Sequence, residues 1–128
     1  MSAHSTPRII TVIADSSIAK GKAVKVGSGY LNGHVRLGAA NTDRCYGISQ
    51  VEATASGQAL EVALQGGGAK GLLGETVSAG EDLVSHTDGT LVKPNAEGDQ
   101  IIARAVESGV SGDLVSVEVY HATAHASQ

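Results

Sequence analysis

The chain has 128 residues and a formal net charge of −4, which is one domain's worth of sequence, long enough to bury about two-thirds of its unfolded surface. It holds 17 Gly and 3 Tyr but neither Phe nor Trp, so its core must be built from Val, Leu, Ile and Ala, and so thin a core gains stability from association. The acidic balance argues against nucleic-acid binding, which needs clustered Lys and Arg, and the lone Cys45 excludes an internal disulfide or a thiolate zinc site.

Residues 1–7 are small and polar, a loose end. Residues 8–14, Arg-Ile-Ile-Thr-Val-Ile-Ala, form the first strand candidate, because β-branched residues suit a pleated surface. Together they make an extended N-terminal arm over residues 1–16. No segment has the length of a signal-peptide core or a membrane span, so the chain is expected to stay in, or assemble in, the cytoplasm. Residues 22–26 are the next strand, and Lys20, Lys22 and Lys25 read as its solvated face. Asn32-Gly33, between Tyr30-Leu31 and His34-Val-Arg-Leu37, accepts the positive φ angles of a type I′ turn and predicts a hairpin. Residues 46–52 and 60–64 follow. In Leu60-Glu-Val-Ala-Leu64 the apolar residues share one face.

Residues 66–71, Gly-Gly-Gly-Ala-Lys-Gly, formally match G-x-G-x-x-G. A dinucleotide site would need a long helix next, and Leu72-Leu-Gly-Glu-Thr-Val offers none. Lys70 precedes Gly71, so a Walker A loop fails too. The segment reads as a flexible connector, with at most one short helical turn over 69–75. Strands are expected again at 83–86, 101–107 and 115–119, with Asp88-Gly89 turning a hairpin towards Leu91-Val92 and Pro94-Asn95 marking a loop. Residues 122–128 read as a flexible tail.

The chain says nearly the same thing twice. With Gly57 set on Gly112, Val51-Glu52 falls on Val106-Glu107, Ser56 on Ser111, and Leu60, Val62 and Leu64 on Val115, Val117 and Val119. Ile18-Ala-Lys-Gly21 resembles Val77-Ser-Ala-Gly80, and Gly29-Tyr-Leu31 resembles Gly89-Thr-Leu91. Two copies are too few for a solenoid. The expectation is an all-β fold: one domain over 17–121, a compact barrel or sandwich of two pseudo-repeated halves at about 18–64 and 77–119.

No residue set points to catalysis or a cofactor. His121 and His125 are four apart, a metal-ligand spacing on a helix, but they fall at a strand end and in the tail; His4, His34 and His86 stand apart from them. No G-x-S-x-G elbow surrounds any Ser. Glu52, Glu61, Glu107 and Glu118 occupy solvent-facing positions. The alternative of a different class is a lipoyl- or biotinyl-like carrier modified at Lys70, between the halves, or a small-ligand β-barrel. The carrier tip of an acidic residue with Lys, or Met-Lys-Met, is absent, since this loop reads Gly-Ala-Lys-Gly.

Several segments together carry a resemblance: Gly21-Lys-Ala-Val24, Tyr46-Gly-Ile48, Ala53-Thr-Ala-Ser-Gly57 with Val62, Val77-Ser-Ala-Gly80 with Leu83-Val84, Asp88-Gly-Thr-Leu91, and Val110-Ser-Gly-Asp113 with Val115 and Val117. Over residues 17–120 the chain resembles the small capsid cement, or head decoration, proteins of tailed phages. It departs from them in its longer leader and His-containing tail. The resemblance implies a non-enzymatic homotrimer on the outer surface of the capsid, assembled in the host cytoplasm. It would bind the major capsid protein, with no cofactor, direct nucleic-acid contact or membrane. Pro7, Arg8, Ile9, Ile10, Thr11 and Val12 are then the candidate contact stretch, pairing by β-augmentation with a sister subunit or the shell.

Overall fold

The computed structural model describes residues 9–26, 34–43 and 45–123. Among them lie ten strands and no helix: β1 Ile9–Ala14, β2 Ala23–Val26, β3 His34–Leu37, β4 Gly47–Ser49, β5 Ala59–Leu64, β6 Gly68–Leu72, β7 Asp82–Ser85, β8 Leu91–Val92, β9 Gln100–Ala105 and β10 Leu114–Thr123. The first five close into a barrel in the order β1-β3-β2-β4-β5, and the second five form a sheet in the order β6-β10-β9-β7-β8. The ends of that sheet are bridged at a single point, where Leu73 meets Leu91 in parallel. The fold is therefore all-β, as the alternation of Val and Leu with polar residues dictates.

The two halves are copies strand for strand. In the first, β1 pairs antiparallel with β5 and parallel with β3. In the second, β6 pairs antiparallel with β10, and its continuation meets β8 in parallel. Turn bonds repeat as well. Gly57 N–H donates to Ala14 O at 2.8 Å and Gly112 N–H to Leu73 O at 2.9 Å, both glycines having φ near +90° (90° and 92°), where a Cβ is strained. The Gly57–Gly112 match therefore holds, but the register upstream of it shifts by one. Gln50 N–H donates to Glu61 O and Val106 N–H to Ser116 O, so Gln50, not Val51, is the twin of Val106. The cause is one extra residue between Ala53 and Gly57 compared with the stretch from Gly109 to Gly112, Ala53 and Gly109 being the twins that bridge Ile18 and Val77.

Three expectations are corrected by this geometry. Residues 9–14 are not an arm: they form a wall strand of the first barrel, with Val12 and Ala14 buried in its interior. Residues 68–72 are neither a flexible connector nor a helical turn: they form β6, the twin of β1. The flexible tail does not begin at 122, since Ala122 and Thr123 pair with Ile101 and Gln100 past a bulge in β10. The Asn32-Gly33 hairpin lies outside the described residues, whereas its counterpart Asp88-Gly89 joins β7 to β8 with Gly89 at φ 82°.

Val12, Ala14, Ile18, Val24, Val35, Ala53, Leu60 and Val62 fill the first barrel. The second cluster is built from Leu73, Leu83, Leu91, Ile102, Val115 and Val117, and continues into Ala23, Cys45, Ile48 and Ala63 of the first half. One apolar core thus runs through the join, each fully buried Val, Leu or Ile contributing about 1.5–3 kcal/mol. Polar bonds fix the join in register. Leu72 N–H donates to Gly21 O at 2.9 Å, Ala23 N–H to Gly89 O at 2.8 Å, and Gln100 N–H to Asn41 O at 2.9 Å. The Gln50 amide mimics a strand against the free edge of β6, accepting from Lys70 N–H at 3.2 Å and donating to Lys70 O at 3.3 Å.

Candidate interaction surface

Of the six residues expected to make contacts, Pro7 and Arg8 lie outside the described residues. Ile9 and Ile10 are 45% and 38% exposed, large values for isoleucine in a strand, and Thr11 is exposed beside them. Val12 is corrected: it points into the barrel and is buried there. One edge of β1 is fully paired with β5, from Ile9 opposite Ala63 to Ile13 opposite Ala59. On its other edge only Ile13 and Ala14 are paired among the described residues, with His34 and Val35.

A second apolar surface was not anticipated. Val106 and Val110 are 60% and 54% exposed, and Leu114 is 43% exposed. Val106 and Val110 lie in the loop between β9 and β10: the strand expected over 101–107 ends at Ala105, so Val106 falls outside it. Across β7, β9 and β10 runs a preorganised polar group of Asp82, Arg104 and Tyr120. The Tyr120 hydroxyl donates to Asp82 Oδ1 at 2.8 Å and accepts from Arg104 Nη2 at 2.8 Å. The Arg104 guanidinium also stands 4.4 Å from the centre of the Tyr120 ring. Burial, aided by Asp82, pushes the Tyr120 hydroxyl up, so it remains a donor at neutral pH. An Arg and a Tyr locked together in this way are the side chains most often found at interface hot spots.

The chemical candidates from sequence are scattered or tied down. Lys70 does not sit at a hairpin tip but in the middle of β6 opposite Ser116, with Nζ 3.0 Å from Ser116 Oγ and 3.5 Å from Glu107 Oε2. This placement removes the geometric basis of the carrier reading. Lys25 is paired with Asp43 at 2.8 Å, and Lys22 Nζ donates to Asp88 O at 2.7 Å across the join, so the basic cluster is partly structural. Burial pushes the Cys45 thiol up to about 11, against a hydrogen bond with Ser85 that pulls the other way, and a thiol so held is a poor nucleophile. His34 Nδ1 meets Asp15 Oδ1 at 2.9 Å. His125 and His4 lie outside the described residues. Among the described residues no group of three or more His, Cys, Asp or Glu is placed to hold a metal ion.

A pair of aspartate clasps escaped the sequence reading. Asp43 accepts from the Ala39 and Ala40 N–H groups at 2.8 and 3.1 Å. Its twin Asp99 accepts from Asn95 and Ala96 at 2.9 and 3.2 Å, and from Asn41 Nδ2 at 2.7 Å. The available signal was an Asp three and four residues after the chain turns, the pattern of a side chain bonding its own loop. Burial alone would raise Asp43, but the Lys25 ammonium and the two N–H groups hold it below the usual carboxylate value. The loops bearing these clasps help line an open cleft of about 480 Å³ between the halves, together with Glu75, His86 and Lys93.

A smaller cleft of about 350 Å³ is lined by Cys45, Gln100, Ile102, His121 and Thr123. His121 sits at the bulge of β10, and its Nε2 is buried without a hydrogen-bond partner. Burial lowers its pKa, since the charged ring cannot be solvated there. The folded state thus binds the proton less readily than the unfolded state. Stability is full above the unfolded value of about 6.5 and is lost as pH falls through the lowered folded one. The midpoint of urea unfolding is expected to drop between pH 7 and pH 5, and His121→Gln is expected to flatten that drop. An equal slope in the variant would assign the effect elsewhere.

No protein-family model matches the chain, and no curated protein matches it. Among solved structures it is similar to the N base of the head fiber gp8.5 of bacteriophage phi29, with a TM-score of 0.67 and 17% sequence identity, over 89% of this chain and 94% of that one. At that identity what is shared is the fold.

Proposed function

We propose that the chain is a structural protein of a phage virion, a homotrimer that binds the outer surface of the capsid and stabilises the shell without enzymatic activity. The observation that carries this reading is the likeness of fold to a head-fiber base over nearly the full length of both chains. The molecule's physical character agrees with it. A closed barrel and a five-stranded sheet joined through a shared apolar cluster make a rigid body, and surface groups preorganised on strands bind with little ordering cost. The partner is the major capsid protein, met through the exposed face that carries Asp82, Arg104 and Tyr120. Contact through several subunits at once would turn modest single contacts into tight decoration. Nucleic acid and membrane play no part, and assembly takes place in the host cytoplasm.

Purified protein mixed with undecorated shells of its phage is expected to co-sediment to saturation and to raise the temperature at which the shells break. Arg104→Ala should weaken that binding roughly thirtyfold, since a hot-spot residue contributes about 2 kcal/mol or more; the Arg104 side chain is half exposed and so open to a partner. Shells that neither bind the protein nor gain heat resistance would rule the reading out.

A further inference from the structure

Strand pairing sets one row of side chains in the first half against a twin row in the second. Ala23 of β2 stands opposite Ile48 of β4, and Ile48 opposite Ala63 of β5. All three are fully buried, yet none belongs to the cluster that fills the first barrel. They belong instead to the cluster completed by Leu73, Leu83 and Leu91 of the second half. This apolar row is the floor on which the second half sits. Its twin is found by register: Ala63 and Glu118 each follow Val62 and Val117 by one. Ile48 and Arg104 precede Gln50 and Val106 by two, and Ala23 and Asp82 follow Gly21 and Gly80 by two. Asp82 of β7, Arg104 of β9 and Glu118 of β10 again stand opposite one another across the strands.

The chemistry of the second row is the reverse of the first. Arg104 and Glu118 are exposed and Asp82 is half-buried. Two carboxylates flank one guanidinium, so pairing within the row leaves a negative charge over. Arg104 is tied at two points, to Asp82 through Nε at 3.4 Å and to the Tyr120 hydroxyl through Nη2 at 2.8 Å. A guanidinium so held does not swing aside when another surface approaches. The glycines ahead of the two rows register the same contrast. A Cβ at Gly21 would lie 2.6 Å from Leu114 Cδ2 and 2.9 Å from Leu72 N, whereas at Gly80 it would meet nothing within 4 Å. One row is pressed upon and its twin is open.

We infer that the Asp82–Arg104–Glu118 row is the molecule's stacking face rewritten in charge, which ends the tandem at two units and keeps further copies of this chain from seating on it. An apolar cover like the one over Ala23, Ile48 and Ala63 would strip water from three charged groups and leave one carboxylate uncompensated, which is costly. Stacks of repeats are ended by the same device, a terminal unit whose outer face is polar. The row therefore stays open to water in a molecule whose first half hides the equivalent surface. A partner that does seat there must answer charge with charge.

The test gives the second row the residues of the first. Asp82→Ala, Arg104→Ile and Glu118→Ala are combined in the full chain, and sedimentation velocity is run over a concentration series. The triple variant is expected to form species larger than those of the unaltered chain, at concentrations at least tenfold below any at which the unaltered chain does so. Arg104→Ile with Glu118→Ala, which keeps the Tyr120–Asp82 hydrogen bond, serves if the triple variant loses its fold. Lys70→Ile with Glu107→Ala makes an apolar patch on the same sheet outside the row, and should leave the size unaltered. A folded row variant no larger than the unaltered chain at any concentration would overturn the inference. So would a Lys70 and Glu107 variant that associates as strongly. Shell binding plays no part in this readout, so the functional reading stands or falls separately.

Discussion

A chain lacking residues 1–14 is expected not to fold. β1 is one of five walls of the first barrel. Its loss removes Val12 and Ala14 from the interior and uncovers Leu60 and Val62, to which it is paired or adjacent. Three large aliphatic side chains at about 1.5–3 kcal/mol each, together with a ladder of backbone bonds at about 1 kcal/mol apiece, come to about 10 kcal/mol. That is comparable with the ~5–15 kcal/mol that holds a whole domain together. Dispersion of amide resonances and far-ultraviolet dichroism would report the difference, which suits a protein with 3 Tyr and no Trp. An intact fold in the shorter chain would mean that β1 is dispensable and could act as an arm after all.

The second large effect is a contrast between twins. Gly21 and Gly80 have φ of 86° and 92°, so alanine at either position costs about 1–2 kcal/mol for the left-handed backbone. At Gly80 the added methyl enters open space and the cost ends there. At Gly21 it meets the backbone nitrogen of Leu72 and the side chain of Leu114, and forcing the join apart adds about 1–3 kcal/mol. Gly21→Ala should therefore be about 2 kcal/mol less stable than Gly80→Ala in urea titrations of dilute protein. Equal costs would mean that the join yields freely, and with it the case for one continuous core would fail.

What the sequence makes legible is the arithmetic of strands: Leu60, Val62 and Leu64 against Val115, Val117 and Val119, each set led by a turn glycine. That suffices for an all-β molecule built twice. The first strand of each copy is hidden, because the twins differ in chemistry while agreeing in backbone pairing. Val12 packs with Val35 in one barrel; its twin Gly71 leaves room for Leu91, whose Cδ1 would lie 2.5 Å from a Cβ added there. Volume moves from one strand to its neighbour, and side-chain similarity vanishes with it. Gly68-Ala-Lys-Gly-Leu72 therefore looks like a linker, although Ser116 and Gln50 hold it as a strand. The exposed Val106 is equally silent in sequence, since its exposure depends on what the other half of the molecule does not reach.

The order in which the barrel and the sheet are encoded has a consequence for synthesis. The first barrel contains its own closing pair, β1 with β5, and every residue of its interior precedes residue 65. It can shut while the rest of the chain is still being translated. The second half cannot finish alone, because β6 needs Gly21 and Gln50 along its edge and its core needs Ile48 and Ala63 beneath it. Folding is then vectorial, the amino-terminal barrel serving as the template on which the carboxy-terminal sheet completes. Domains that close in order of emergence keep unpaired strand edges hidden during synthesis.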